Sequence, residues 1–180
     1  AFAKKRFPGR EAMFWSFLSM VMVPFQVTLI PTFMLISSMR GINTYWGLIV
    51  PSLANAQAVF LMRQFIRDLP DELFEAARVD GAGEFTIFWR IVLPLSRPIL
   101  ATLGLFVLLW HWNDFLWPLI VGRRSEMWTL TVGISSLQQQ NVPLSVMLAG
   151  STVALLPILM AYLVAQRHVQ DGYINSGIKG

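Results

Sequence analysis

The sequence predicts an all-α membrane protein, a polytopic helical bundle. Composition is the first observation behind this expectation. Of 180 residues, 55% are hydrophobic and 13% are charged, about half of the roughly 25% charged residues typical of soluble domains. A core of this size cannot hide that much apolar surface, so lipid is part of the solvent. Run length is the second. The apolar side chains gather in four runs, about 13–39, 45–66, 98–121 and 146–166. Each meets the roughly 20 residues needed to cross the hydrocarbon layer as a helix, and a helix satisfies its own backbone where lipid cannot. The chain reads as one domain over 1–180, with no internal repeat or linker.

Charge distribution orients the four spans. Lys4, Lys5, Arg6, Arg10, Arg63, Arg67, Arg78, Arg90, Arg97, Arg167 and Lys179 fall on the side of the termini and the 68–98 loop, whereas only Arg40, Arg123 and Arg124 fall opposite. By the positive-inside rule both termini and the loop are cytoplasmic. The first ten residues, AFAKKRFPGR, lack the apolar region and cleavage site of a signal peptide. They read as the exit from an earlier span, so the chain is expected to be trimmed at its N-terminus.

The spans carry Pro24, Pro31, Pro51, Pro118 and Pro157. In a bundle, neighbouring helices re-satisfy the carbonyls that proline frees; kinked helices are the plain reading, transporter hinges the sharper one. Gln26 in the first run and Asn55 and Gln57 in the second either line a polar path or hydrogen-bond between helices. In the third run His111, Asn113 and Asp114 sit among tryptophans. An ionised group at mid-bilayer costs about 2.5–3.5 kcal/mol on insertion scales. Pro98 to Asp114 spans roughly 24 Å of helix, which places Asp114 near the outer aromatic belt. Gln26, Gln57 and Asn113 are the candidates for a translocation path, and His111 is expected to satisfy a neighbouring helix. The loop from Gly122 to Ser145 reads from its residues as an interfacial segment lying on the bilayer.

The most informative stretch is DLPDELFEAARVDGAGEFTIFWRIVLPLSRP, residues 68–98. A helix is expected from near Pro70, with Asp68 as N-cap and Asp71 and Glu72 in a first turn whose dipole favours anions. Asp80-Gly81 supplies a stop and turn. A second helix starts at Glu84 and places Phe85, Phe88 and Trp89 on one face; Pro94 and Pro98 close the loop. This helical hairpin either folds against its own bundle or buries its aromatics in a partner's groove, and its residue pattern alone leaves both open.

Glu75-Ala76-Ala77, Asp80-Gly81-Ala82, Phe88, Ile91, Leu93-Pro94 and Pro98 together resemble the EAA motif of ATP-binding-cassette importer permeases. The resemblance covers essentially the whole chain. WNDFLWPLI, TLTVGISSLQ, LAGSTVALLPILMAYLVAQR and the ending GYINSGIKG are similar to the MalG-like permeases of sugar and glycerol-phosphate importers, although Gly177-Ile178 and the run Gln138-Gln139-Gln140 depart from the usual pattern. The resemblance implies a six-span transmembrane domain of which four spans are present. It implies a multi-pass position in a bacterial or archaeal cell (inner) membrane. It also implies a hairpin that docks on a separate ATPase through Glu75, Ala76, Ala77, Asp80, Gly81, Phe85 and Phe88. The implied partners are ATPase subunits, a second homologous permease, an extracytoplasmic solute-binding protein and a carbohydrate-like solute.

Other functions are disfavoured. No G-x-x-x-x-G-K-[ST] loop is present, so ATP and Mg are expected on the partner ATPase and no cofactor on this chain. Without cysteine there is no disulfide framework or Cys-based metal site. The basic residues lie in gaps between apolar runs rather than on a stripe, which argues against nucleic acid. A secondary transporter would need mid-bilayer ion sites and usually repeats. A permease for amino acids or phosphate is the nearest alternative.

Overall fold

The structure, a computed structural model, describes residues 1–140 and 142–174, without the side chains of 138, 139, 165 and 167–174. The Gln138-Gln139 run, Arg167 and Lys179 as charges, and the tail from Gly172 to Gly180 therefore lie wholly or largely outside the described residues. Eleven α-helices are described: α1 (Arg10–Ser19), α2 (Phe25–Ser38), α3 (Tyr45–Ile49), α4 (Ala56–Asp68), α5 (Asp71–Val79), α6 (Glu84–Ile87), α7 (Leu93–Leu95), α8 (Arg97–Trp112), α9 (Leu116–Val121), α10 (Leu130–Gln139) and α11 (Leu144–Ile174). No strand occurs among the described residues.

The apolar runs are not four uninterrupted helices. Among the described residues only Leu144–Val164, within α11, is by itself long and apolar enough to cross a membrane, and up to four spans result if each bent helix pair counts as one. Proline explains the first break. Pro24 takes an extended conformation, φ −58° and ψ 137°, so the helical path that runs through α1 and a 3₁₀ turn at Met20–Met22 must stop and restart at Phe25. The third run breaks differently. Helix α8 stops at Trp112, and Asn113–Phe115 lie outside helix before α9 begins. Pro31 and Pro157 remain inside helices.

The chain forms two compact units. Unit 2 comprises Val23–Asn55 and Leu105–Val164. Its core is Ile36, Trp117 and Val121, packed against Leu29, Phe33, Trp46 and Ile120. The corner after α2 is tightly knotted. Gly41 N–H donates to Ile36 O at 2.8 Å and Asn43 N–H to Val121 O at 2.9 Å. Trp117 Nε1 donates to Gly47 O at 3.2 Å from a buried position, and Asn43 Oδ1 accepts from Arg124 N–H. Arg40 and Asn43 both take φ of 58°, a left-handed conformation that costs a non-glycine residue roughly 1–2 kcal/mol.

Unit 1 holds Ala1–Met22, Ala56–Gly104 and the chain from Ala165 onward. Here α1 packs on α4 through Phe14, which is 1% exposed and stacks on Phe60 with ring centroids 6.5 Å apart. A second core joins Phe74, Ala77, Ile87 and Val92, with Ile66, Leu69, Ala82 and Ile91 around it. This cluster makes the 68–98 stretch a folded body rather than a strand of connector. Truncating Phe74 to alanine is expected to destabilise it by about 3 kcal/mol or more, read as lost hydrogen-exchange protection across Leu69–Ile91 with α11 unaffected.

Candidate functional site

The hairpin of unit 1 is the candidate site. Its first helix, α5, spans Asp71–Val79 with Asp71 and Glu72 in the first turn and Arg78 in the last, charges that match the helix dipole. Asp68 is not its N-cap. That residue ends α4, while Pro70 holds the capping position at φ −57° and ψ 135° and contributes no side-chain bond. Proline fits because its missing N–H is one the first turn leaves unpaired anyway.

The helix ends in a Schellman motif. Ala82 N–H donates to Ala77 O at 2.9 Å and Gly81 N–H to Arg78 O at 3.0 Å. Gly81 has φ of 77°, the left-handed conformation this motif requires at that position. Ala82 packs on the cluster containing Ala77, which supplies the motif's hydrophobic contact.

The second half, Glu84–Leu95, is helical but not uniformly α. It widens into a π-helical turn at Phe88–Val92, which changes the residue periodicity. Ile87 and Val92 therefore turn inward, 3% and 8% exposed, whereas Phe85 is 82% and Trp89 60% exposed. The aromatic rings of Phe88 and Trp89 meet edge to face, 5.5 Å apart. Pro94 does not end the hairpin; it sits inside α7. The chain instead turns at Ser96, bending by 71° into α8. Ser96 is wholly buried, and its hydroxyl has no partner among the described residues.

Of the seven residues expected to dock, Glu75, Ala76, Asp80, Gly81, Phe85 and Phe88 are exposed. Ala77 faces inward, in the hairpin's own core. An open hollow of about 390 Å³ lies between the α5–α6 turn and Arg90, lined by Asp80, Gly81, Ala82, Thr86 and Ile87. Val79, 87% exposed, extends the apolar surface. Sequence pattern missed it, since it is an ordinary C-terminal helix residue and only its exposure distinguishes it.

The sequence also missed a set of basic residues that grip the hairpin. Lys4 Nζ donates to Asp71 Oδ1 at 2.8 Å, and Lys5 pairs with Glu84. Asp71 is held below its ordinary pKa chiefly by the Lys4 hydrogen bond. Glu84 is held below its own by the Lys5 hydrogen bond, with a smaller contribution from Arg78. A carboxylate whose folded pKa is depressed stabilises the fold above the ordinary carboxylate range and loses that contribution as pH falls through the depressed value. Acidification from about pH 7 to about pH 3 is thus expected to loosen the residue 1–9 segment from the hairpin. Amide exchange at Leu69 and Asp71, corrected for its intrinsic pH dependence, should rise before that of α11; an unchanged ratio would contradict the pairing.

The polar candidates within the spans are distributed over both units. Gln26 and Gln57 are exposed in the first turns of α2 and α4 and make no side-chain hydrogen bond among the described residues. Asn113 is exposed just past α8, and its Nδ2 donates back to Leu109 O at 2.7 Å, so it partly caps its own helix. His111 is exposed in the last turn of α8 and makes no side-chain hydrogen bond among the described residues, in contrast to its expected pairing with a neighbouring helix. Trp112 makes such a link instead, donating Nε1 to Ala154 O at 3.0 Å.

Residues 1–174, hairpin included, match the binding-protein-dependent transport system inner membrane component family. The chain belongs to that family. Among its relatives are two proteins each named arabinooligosaccharides transport system permease protein AraQ. The one from Halalkalibacterium halodurans is 38% identical over all of this chain and 65% of the relative. The one from Bacillus subtilis is 39% identical over 97% of this chain and 62% of the relative. The sn-glycerol-3-phosphate transport system permease protein UgpE of Yersinia enterocolitica is 38% identical over 95% of this chain and 62% of the relative. The chain thus spans less than two thirds of the length of these curated relatives. In fold it is similar to a chain of a bacterial ABC transporter involved in the import of the acidic polysaccharide alginate. The TM-score is 0.80 and the identity 24%, covering 92% of this chain and 64% of the other. Membership makes the chain part of a membrane transport component.

Proposed function

We propose that the chain is the permease part of an ATP-driven, binding-protein-dependent importer for a sugar, an oligosaccharide or a glycerol-phosphate-like solute. The observation that carries this reading is the division of the hairpin into two faces. Phe74, Ala77, Ile87 and Val92 build a core of its own, yet Val79, Phe85, Phe88 and Trp89 remain open to the surroundings. A segment already able to satisfy its own core has no folding need for that outward face, and large aromatics on it suit a partner's groove. Family membership supports an ATPase as that partner, with ATP and Mg bound there.

In this reading Glu75 and Asp80 make polar contacts to the ATPase, Ala76 allows close approach, and Phe85 and Phe88 anchor the joint. Ala77 serves from within, letting α5 approach Ile87. The excess of basic residues on the hairpin side supports a cytoplasmic position for the hairpin and both termini. Closure of two ATPase subunits moves the hairpins of this chain and a second, related permease, and that motion alternates access to a path between them. A binding protein delivers solute from outside. The names of the AraQ and UgpE relatives support carbohydrate or glycerol phosphate over amino acids or inorganic phosphate.

The test is ATP hydrolysis by the assembled complex in proteoliposomes. Binding protein with an arabino-oligosaccharide or sn-glycerol 3-phosphate should stimulate turnover, and an amino acid or inorganic phosphate should not. Stimulation by the latter pair alone would overturn the solute class. For the path, cysteines at Gln26, Gln57 and Asn113 should react with water-soluble thiol reagents in at least one transport state. Protection of all three in every state would remove them from it.

A further inference from the structure

Residues 2–5 contact three consecutive elements of unit 1. Lys4 Nζ donates to Arg67 O at 3.0 Å, Leu69 O at 2.6 Å and Asp71 Oδ1 at 2.8 Å. An ammonium has three donors, and all three are used. The acceptors have a pattern. Arg67 and Leu69 lie at the C-terminal end of α4, where carbonyls lack helical partners and the dipole is negative. Asp71 opens α5. One side chain thus bridges the end of one helix and the start of the next across the Leu69-Pro70 corner. The Lys4 side chain is only 16% exposed and its Nζ sits 5.3 Å from the centroid of Phe74, in the hairpin core.

Neighbouring contacts extend the same arrangement. Lys5 pairs with Glu84, the first residue of α6. Phe2 O accepts from Arg63 Nε of α4 at 3.2 Å. Arg63 Nη2 also donates to both carboxylate oxygens of Glu11 in α1, at 2.6 and 2.7 Å, and its guanidinium lies 3.8 Å from the centroid of the buried Phe14 ring. The segment before α1 is therefore joined to α4, α5 and α6 by charge-assisted hydrogen bonds, the stronger class of such bonds.

We infer that residues 2–5 are a brace that makes α4 and the docking helix α5 move as one rigid body, with Lys4 as its central positioning residue. This rests on the reading of the hairpin as the joint to an ATPase. A docking helix hinged freely at Leu69-Pro70 would absorb the partner's motion in that hinge. With Lys4 saturated by acceptors on both sides, displacement of α5 passes into α4 and, through Arg63 and Glu11, into α1.

The experiment places spin labels at Gln64 of α4 and Glu72 of α5, both exposed, in the complete complex in proteoliposomes. Distances are measured without nucleotide and after trapping with ATP and vanadate, beside solute uptake per ATP hydrolysed. The unsubstituted brace should give one narrow distance, equal in both states. Lys4→Met should broaden it and lower uptake per ATP by about tenfold, the size of losing a hydrogen bond to a charged group, while ATPase association and basal hydrolysis persist. Lys4→Arg should restore most of both. A distance that changes between states in the unsubstituted protein overturns the brace, as does Lys4→Met with a narrow distance and normal uptake per ATP. Should Lys4→Met fail to assemble, Asp71→Asn and Glu84→Gln each remove one contact and should each broaden the distance partially; if neither does, the brace is overturned. Failure of the unsubstituted chain to bind the ATPase would instead remove the docking reading, and the nucleotide-free distance would still report on the brace.

Discussion

Gly81→Val is expected to reduce solute uptake to about a tenth or less, the largest functional loss of any single change in the hairpin. The cause is conformational rather than steric. Gly81 has φ of 77°, and a Cβ there would meet nothing within 4 Å. A β-branched residue is strongly disfavoured at positive φ, and the left-handed conformation costs even an ordinary L-residue roughly 1–2 kcal/mol. Relieving the strain means giving up the bonds from Gly81 and Ala82 to Arg78 and Ala77. That frees the end of α5 and re-aims Phe85. A penalty near 1.4 kcal/mol already changes an equilibrium about tenfold. Gly81→Asn separates fold from contact, since asparagine tolerates this conformation; it should keep the hairpin protected in hydrogen exchange and retain most uptake. Normal uptake by Gly81→Val would contradict the assignment of this turn.

Gly47→Ala is expected to cause the largest loss of stability. A Cβ at Gly47 would lie 2.1 Å from Gly41 O and 2.9 Å from Gly41 C. Both are backbone atoms of a corner already fixed by Thr44, whose Oγ1 accepts from Gly47 N–H and donates to Gly41 O. No side-chain rotation relieves such a clash. Parting the two segments also breaks the bond from Trp117 Nε1 to Gly47 O, in the core of unit 2. Overpacking and a lost buried hydrogen bond together imply roughly 2–4 kcal/mol. Thermal unfolding of the purified complex, followed by tryptophan fluorescence, should show a lowered midpoint, and Trp117→Phe a smaller decrease of the same kind. A Gly47→Ala protein as stable as the unsubstituted one would mean that the α2–α3 corner is not packed as described.

The two substitutions also mark what could be read from the residues alone. Gly81 was legible because helix grammar is local: Pro70, Asp71, Glu72 and Asp80-Gly81 all signal within a turn of where they act. Helix α5 accordingly falls close to its expected limits. The role of Gly47 was not legible, because the atom it must avoid belongs to Gly41 and the constraint exists only once the corner closes. Periodicity failed in a specific way at Phe88–Val92. The extra residue of a π turn shifts every later side chain around the axis, so Val92 is buried where an unbroken α pattern gave no such cue. The apolar runs predicted helices correctly but not their continuity, because Pro24 in an extended conformation and the non-helical Asn113–Phe115 stretch interrupt sequences that remain apolar throughout. Lys4 and Lys5 entered the sequence reading only as charges that orient the chain. Their partners lie more than 60 positions away, and contacts at that separation leave no periodic trace.

One measurement bears most directly on the hairpin as the joint to an ATPase. A photo-reactive phenylalanine analogue at position 85, where the native ring is 82% exposed, would be irradiated in the assembled complex in membranes. The same analogue at Phe74, 5% exposed within the hairpin core, serves as the inward control. The account expects a crosslink from position 85 to the ATPase subunit whose yield changes on trapping with ATP and vanadate, and none from position 74. Crosslinks from position 85 only to lipid or to this chain, with or without nucleotide, would contradict it.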